Sequence, residues 1–339
     1  PENSGNMNAL LLAVWLCVIL LVALEERSSE LQAKYFSTLV QKLTFWTAPG
    51  PSDAICYPKA GTSEQRRGYV DLPAFIRRAE EKGYAVETQA RFSPELLRLC
   101  DLGIFPPYRE KSQAGLEVYD RRGQTLFDMT FPVHAYASFE AIPEIIVKSL
   151  VFIENRDLLD PRYPFKNPAV DWTRLGRALI ERGINKATGG GRGPGGSTLA
   201  TQIEKYRHSP EGRTSSTREK MVQMASASLQ SYMDGPNTLG AQMGIILDYV
   251  NSIPLGAYPG YGEIIGIGDG LWAWYGADFD AVNRTLARRP RSADDRNLEP
   301  WARAFKQMLS LFIAQRRPDR YLLKRIDSLD EQTCSYVRV

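Results

Sequence analysis

A chain of 339 residues, 43% of them apolar, can bury a sizeable core and hold two or more units. Its 42 Lys and Arg against 39 Asp and Glu leave the charge near balance, too mild for a dedicated nucleic-acid protein, so cations matter only where they cluster. Two histidines, His134 and His208, argue against a Ser-His-Asp triad or a multi-histidine metal site.

The first element is an apolar run, MNALLLAVWLCVILLVAL (Met7–Leu24), in which Asn8 is the one strongly polar residue. It has the length of a membrane-spanning helix. EERSSEL follows directly, without the small residues of a cleavage site, so an uncleaved anchor is expected. Neither flank is basic enough to orient it. Pro1 and Val339 read as edges of a longer chain. SELQAKYFSTLVQKL continues with helical periodicity, and Trp46–Ser63, rich in Pro, Gly and Ser, reads as a linker. Of the four cysteines, Cys17 lies in the apolar run. Cys56 and Cys100 can pair outside the cytoplasm or stay as free buried thiols, and the sequence does not choose between these.

Leu72–Tyr84 has the pattern of an amphipathic helix ending near Gly83, and a Pro-rich loop, FPPY, follows at Phe105–Tyr108. LEVYDRRGQTLFDMTF (Leu116–Phe131) places two strand-like runs around Asp-Arg-Arg-Gly, which predicts a hairpin. Helical patterns then dominate: Ile142–Asp157, Asp171–Ile184, Ser197–Tyr206, Thr217–Met233, Leu239–Asn251, Pro300–Gln315 and Ser328–Val337.

The densest glycine run, TGGGRGPGGSTLATQ (Thr188–Gln202), suggests a phosphate cradle. It is not a nucleotide P-loop, because Ser197 stands where that motif needs lysine and no strand precedes it. A dinucleotide fold fails for the same lack of a βαβ unit. The residues that follow are more informative. Ser197 or Thr198 can cap a helix on which Leu199, Ile203 and Tyr206 share one face and Thr198, Gln202 and Lys205 another. Such a helix packs one side and offers polar groups, with free N–H groups at its start, on the other.

Four segments in fixed order, GLEVYDRRGQTLF with IPEIIVKSLVFIENRD, GGSTLATQIEK, a Lys220-led helix, and ILDYVNSIPLG with GYGE and WYG, resemble the family 51 peptidoglycan glycosyltransferases. These are the transglycosylase domains of bifunctional penicillin-binding proteins and monofunctional cell-wall transglycosylases. The resemblance covers about Leu116 to Gly276, with weaker echoes to Leu323. It implies a mainly α, lysozyme-like transglycosylase domain with a small β-hairpin leading into it, preceded by one N-terminal transmembrane helix. The expected division is an anchor over 1–29, a juxtamembrane and unassigned region over 30–112, the glycosyltransferase domain over 113–280, and a truncated helical extension over 281–339.

The resemblance also implies roles. Glu154 matches the family's catalytic glutamate, which deprotonates the acceptor sugar's 4-hydroxyl, and the apolar SLVFI ahead of it suits a carboxylate that takes up a proton. Asn155 replaces the family's aspartate and is taken as a substrate contact. Leu158, Asn167 and Ala169 replace its Phe, His and Gly, and the connection DPRYPFKNP is longer than usual. The glycine motif is well kept: Ser197, Thr198, Gln202 and Lys205 match it, and Lys205 with Arg213 match the basic pair that holds a pyrophosphate, with Arg207 adding to them. Lys220 begins the third motif, whose glutamate is replaced by Gln223, here assigned to the catalytic set although an amide can neither accept a proton nor hold a metal's charge. Tyr249, Asn251, Gly256, Gly262, Tyr275 and Gly276 match the last motif and read as structural.

The expected activity is polymerisation of lipid II into β-1,4 glycan strands with release of undecaprenyl pyrophosphate, at the outer face of a bacterial cytoplasmic membrane to which the chain is held by a single span. The expected partners are lipid II, the nascent glycan, membrane lipid and other cell-wall synthesis proteins, with no nucleic acid. No cofactor is assigned with certainty, and the candidate is a divalent cation, Mg or Mn, at the pyrophosphate. The alternative is a catalytically degenerate fold that binds lipid II or glycan, or scaffolds a cell-wall complex. A third reading is a related carbohydrate reaction, against which the retained phosphate clamp argues.

Overall fold

The computed structural model describes the chain apart from residues 1, 56–60, 111–112, 177–195, 293 and 338–339, and apart from the side chains of 2–11, 14, 18 and 337. Most of the glycine run and the second half of the expected helix Asp171–Ile184 lie outside the described residues.

Helix α1 (Glu2–Ser28) passes through Ser29, in the left-handed region at φ 55°, into α2 (Glu30–Val40). Glu25 secures this joint, accepting from the backbone N–H of Leu31 and of Gln32 at 2.9 Å each. The expected spanning helix over Met7–Leu24 lies in α1 and is not supported. Among the described residues no helix is long and apolar enough to cross a membrane. The side chains described in this run are those from Leu12 to Leu24, Val14 and Val18 excepted. Several of them, including Leu12, Trp15, Ile19 and Leu21, are nevertheless exposed.

The region expected to be a linker begins as a strand. β1 (Phe45–Pro49) pairs antiparallel with β2 (Thr88–Phe92), Phe45 opposite Phe92. Between them lie α3 (Thr62–Arg66) and α4 (Leu72–Glu81), and after them α5 (Pro94–Asp101), capped by Ser93, which accepts from Leu96 N–H at 3.3 Å. Cys100 at the end of α5 is disulfide-bonded, whereas Cys17 and Cys334 are free thiols. Cys56 lies outside the described residues.

The expected hairpin forms as β3 (Ala114–Tyr119) and β4 (Thr125–Phe131). Its exit is fixed by Asp269, a buried carboxylate that accepts from the backbone N–H of Val133 at 3.0 Å and of His134 at 2.8 Å. Gly268 permits that approach, since a Cβ there would sit 2.2 Å from the His134 carbonyl oxygen.

The helical body follows: α6 (Glu144–Glu154), α7 (Leu199–His208), α8 (Thr217–Ser231) and α9 (Leu239–Ser252). A short hairpin, β5 (Pro254–Tyr258) and β6 (Gly262–Ile265), leads to α10 (Gly266–Tyr275), α11 (Phe279–Leu286), α12 (Leu298–Ala314) and α13 (Ile326–Val337). The main core joins α6, α7, α9, α10 and α12 through Ile146, Leu150, Ile203, Ile246, Leu271 and Phe312. A smaller one joins α2 and α5 to α8 through Leu43, Leu96 and Leu229, with Phe36 stacked on Tyr232 at 5.8 Å. The protein is mainly α, as the sequence implies.

Candidate active site

Ile146, Leu150 and Glu154 follow at four-residue spacing on α6, so the face that packs the core also carries the carboxylate inward. Glu154 is 9% exposed and stands on the wall of a cleft of about 1340 Å³. Helix α7 supplies the next groups. Leu199 and Ile203 anchor it in the core, which turns Gln202, Lys205 and Tyr206 toward the cleft. Gln202 Nε2 donates to Glu154 Oε2 at 3.3 Å, and its Oε1 accepts from the Tyr206 hydroxyl at 3.0 Å. Burial lowers the Lys205 ammonium's pKa, and the Glu154 charge opposes that shift.

The cleft is basic. Arg66, Arg67, Arg174, Lys205, Arg207, Arg213, Arg316, Arg317 and Arg320 are among its described lining residues, against the carboxylates of Glu154, Glu211, Glu263 and Asp319. Arg316, at the end of α12, reaches Glu154 Oε1 at 3.7 Å. It is the nearest cation to that carboxylate among the described ion pairs. Such a wall concentrates positive potential in the cleft.

Of the residues singled out in the sequence, Glu154, Ser197, Gln202, Lys205 and Arg213 line this cleft, with Arg207. Four do not. Thr198 is buried as the cap of α7: it accepts from Thr201 N–H at 3.3 Å and donates to the Ala169 carbonyl at 3.2 Å. Lys220 reaches behind the glycine motif and donates to Ser197 Oγ at 2.9 Å and Thr201 Oγ1 at 3.3 Å. Asn155 turns away, accepting from Asp157 N–H at 3.1 Å beside a second, much smaller pocket.

Gln223 is fully buried and donates to Ser209 Oγ at 2.8 Å and Thr214 Oγ1 at 3.0 Å. It therefore braces both ends of the 209–214 loop that carries Arg213 and does not face the reacting space. The amide serves both hydroxyls, donating to each and accepting from Thr214 Oγ1 at 3.1 Å. We expect Gln223→Ala to weaken diphosphate binding several-fold by loosening that loop, with a loss of about 1–3 kcal/mol in stability from the unsatisfied hydroxyls. Titration calorimetry with inorganic pyrophosphate, beside urea denaturation, reads both effects. Unchanged binding in a well-folded variant refutes the brace.

Asn167 is another structural link. It donates to Gln32 Oε1 at 3.1 Å and Ser228 Oγ at 3.0 Å, and accepts from Ala169 N–H at 2.9 Å. Asn251, from the last motif, accepts from Tyr136 N–H at 2.9 Å and donates to its carbonyl at 2.8 Å. Reading from the sequence missed Arg66, Arg67, Arg174, Arg316, Arg317 and Arg320. The run QRRPDR at Gln315–Arg320 was a usable signal, since a basic cluster closes an apolar helix there. Nothing local marked the others.

Among the described residues no group of three or more His, Cys, Asp or Glu is placed to hold a metal ion. The cleft's described carboxylates are Glu154, Glu211, Glu263 and Asp319, outnumbered by its cations, and the amide at Gln223 is committed to Ser209 and Thr214.

A buried carboxylate on the wall of a cation-lined cleft, within a helical body, suits proton transfer beside a developing negative charge. The family comparison is in agreement: the model described as Transglycosylase matches residues 123–334. That is more than half of the chain, which belongs to the family 51 transglycosylases. A search of curated proteins returns no match.

Proposed function

We propose that this chain is a peptidoglycan glycosyltransferase that polymerises lipid II. The observation that carries the reading is Glu154, buried beside Gln202 and Arg316 at the wall of a cleft rich in arginine. In the proposed reaction Glu154 takes the proton of the acceptor's 4-hydroxyl, and that oxygen attacks the donor's anomeric carbon. The bond to the lipid pyrophosphate breaks with inversion, and its electrons leave with the diphosphate, whose growing charge Lys205 and Arg213 neutralise. Ser197 and Gln202 line the same cleft. Membrane association through the exposed apolar stretch Leu12–Leu24 would bring the cleft to a lipid-linked donor at the outer face of the cytoplasmic membrane.

The test is labelled lipid II supplied to the purified protein in detergent. Glycan polymer is the expected product. Binding without polymer would favour the degenerate, lipid II-binding reading, and a Lys205→Ala/Arg213→Ala variant that binds lipid II normally would remove the clamp.

A further inference from the structure

Residues 61–67 lie outside the matched transglycosylase segment, and the first three of them close the stretch Trp46–Ser63 whose composition suggests a linker. The structure fixes them against α7. Gly61 forms a β-bridge with Pro210, and a Cβ at Gly61 would fall 1.8 Å from the Arg207 carbonyl oxygen, so only glycine permits the approach. Thr62 Oγ1 donates to the Tyr206 carbonyl at 3.3 Å. Glu64, 1% exposed, is hydrogen-bonded to His208. Arg67 donates to Glu110 at 2.6 Å, and Glu110 in turn meets His208 Nε2 at 3.2 Å. The segment is therefore built into the wall of the cleft.

Arg66 extends from this wall. Its Nε donates to Glu263 Oε2 at 2.8 Å, and its Nη2 meets the same oxygen. Glu263 belongs to β6, so the pair joins the added segment to the transglycosylase body, and both residues line the cleft. The partners are unequal: the Arg66 side chain is 31% exposed and Glu263 61%. An ion pair this open to water is weak. A diphosphate offers the guanidinium more charge and several acceptor oxygens, in the planar geometry arginine prefers.

We infer that Arg66 is an anion ligand of the active-site cleft, supplied from outside the family domain and held by Glu263 until a diphosphate takes that carboxylate's place. The inference rests on the reading of the cleft as a diphosphate site. It adds to Lys205 and Arg213 a third cation, on a segment that the matched domain does not include.

Inorganic pyrophosphate, titrated into the whole protein at low and constant ionic strength, is the probe. Arg66→Ala is expected to bind about tenfold more weakly, the loss of one charge-assisted contact, with an unchanged circular dichroism spectrum because the pair is exposed. Glu263→Gln is expected to bind several-fold more tightly, and most of that gain should vanish in the double variant. Wild-type affinity in Arg66→Ala would overturn the assignment. A gain from Glu263→Gln that persists undiminished without Arg66 would show a general charge effect and overturn the displacement. If Lys205→Ala/Arg213→Ala abolishes binding while Arg66→Ala does not, the inference fails and the clamp stands. If the wild type does not bind pyrophosphate, both fall.

Discussion

Glu154→Gln should lose glycan polymerisation by about 10²–10⁴-fold, the range a positioned general base supplies, while lipid II binding changes little. The amide keeps the side chain's shape and an oxygen that can accept from Gln202 Nε2, so the local geometry at 3.3 Å need not change. What it loses is the ability to take a proton. A second effect separates this outcome from simple damage. The Glu154 charge supports the Lys205 ammonium against the burial that lowers its pKa. Without that charge the lysine deprotonates at lower pH, so pyrophosphate affinity in the variant should fall off earlier as pH rises. Polymerisation rates with labelled lipid II and pyrophosphate titrations across pH test the two halves independently. A variant that polymerises at the wild-type rate would take Glu154 out of the chemistry.

The second large effect is expected at Glu110→Gln, which should cost about 3–5 kcal/mol of stability, the usual result of removing one partner from a buried ionic group. Glu110 is the hub of such a group. It meets Arg67 at 2.6 Å, His208 at 3.2 Å and Arg207 at 3.6 Å, while Arg207 also reaches Asp248 at 3.2 Å. Glu64 bonds the other side of His208, and Glu204 lies 3.8 Å from its Nε2. Burial alone would raise the Glu110 carboxyl, but His208, Arg207 and Arg67 together hold it below its ordinary value. Its contribution is therefore present above the unfolded carboxylate range and disappears as pH falls through the folded value, so wild type and variant should converge in acid.

Glu204 has the opposite sign. Burial pushes it up to about 7. With all seven groups charged, the carboxylates of Glu64, Glu110, Glu204 and Asp248 outnumber the cations Arg67, Arg207 and protonated His208 by one. Protonation of Glu204 removes that excess. The stability its protonated form contributes is lost as pH rises through about 7. Glu204→Gln, neutral at every pH, should gain on the wild type above that point. Urea denaturation at pH 5 and pH 8 reads both signs. A Glu110→Gln chain as stable as the wild type at pH 8 would show that the cluster does not hold residues 61–67 in place.

How much of this was legible beforehand varies with the range of the interaction. Helical periodicity located α6, α7, α8 and α9 to within a few residues, because a helix that buries one face must repeat its apolar residues at that spacing. Helices α10 and α11 were missed. GIGDGLWAWY, which forms α10, carries three glycines, and they are there for packing: Gly268 faces the His134 carbonyl and Gly270 would place a Cβ 2.5 Å from Leu255. Local propensity penalises such residues, and tertiary contact requires them.

The ordered motifs were enough to place the chain in its family and to bring Glu154, Gln202, Lys205 and Arg213 forward, since each motif is a short string on one helix or loop. The sequence by itself therefore determined the helical class and the family, and named several of the residues that line the cleft. Tertiary structure alone decided which polar residues face the cleft. Thr198 and Gln223 satisfy buried hydroxyls and backbone groups, Arg316 arrives from 162 positions further along to stand beside Glu154, and a glycine in an apparent linker seats α3 against α7. The physical reason is that a polar side chain's role depends on whether water or protein surrounds it. That is set by neighbours distant in the chain, which no local spacing records.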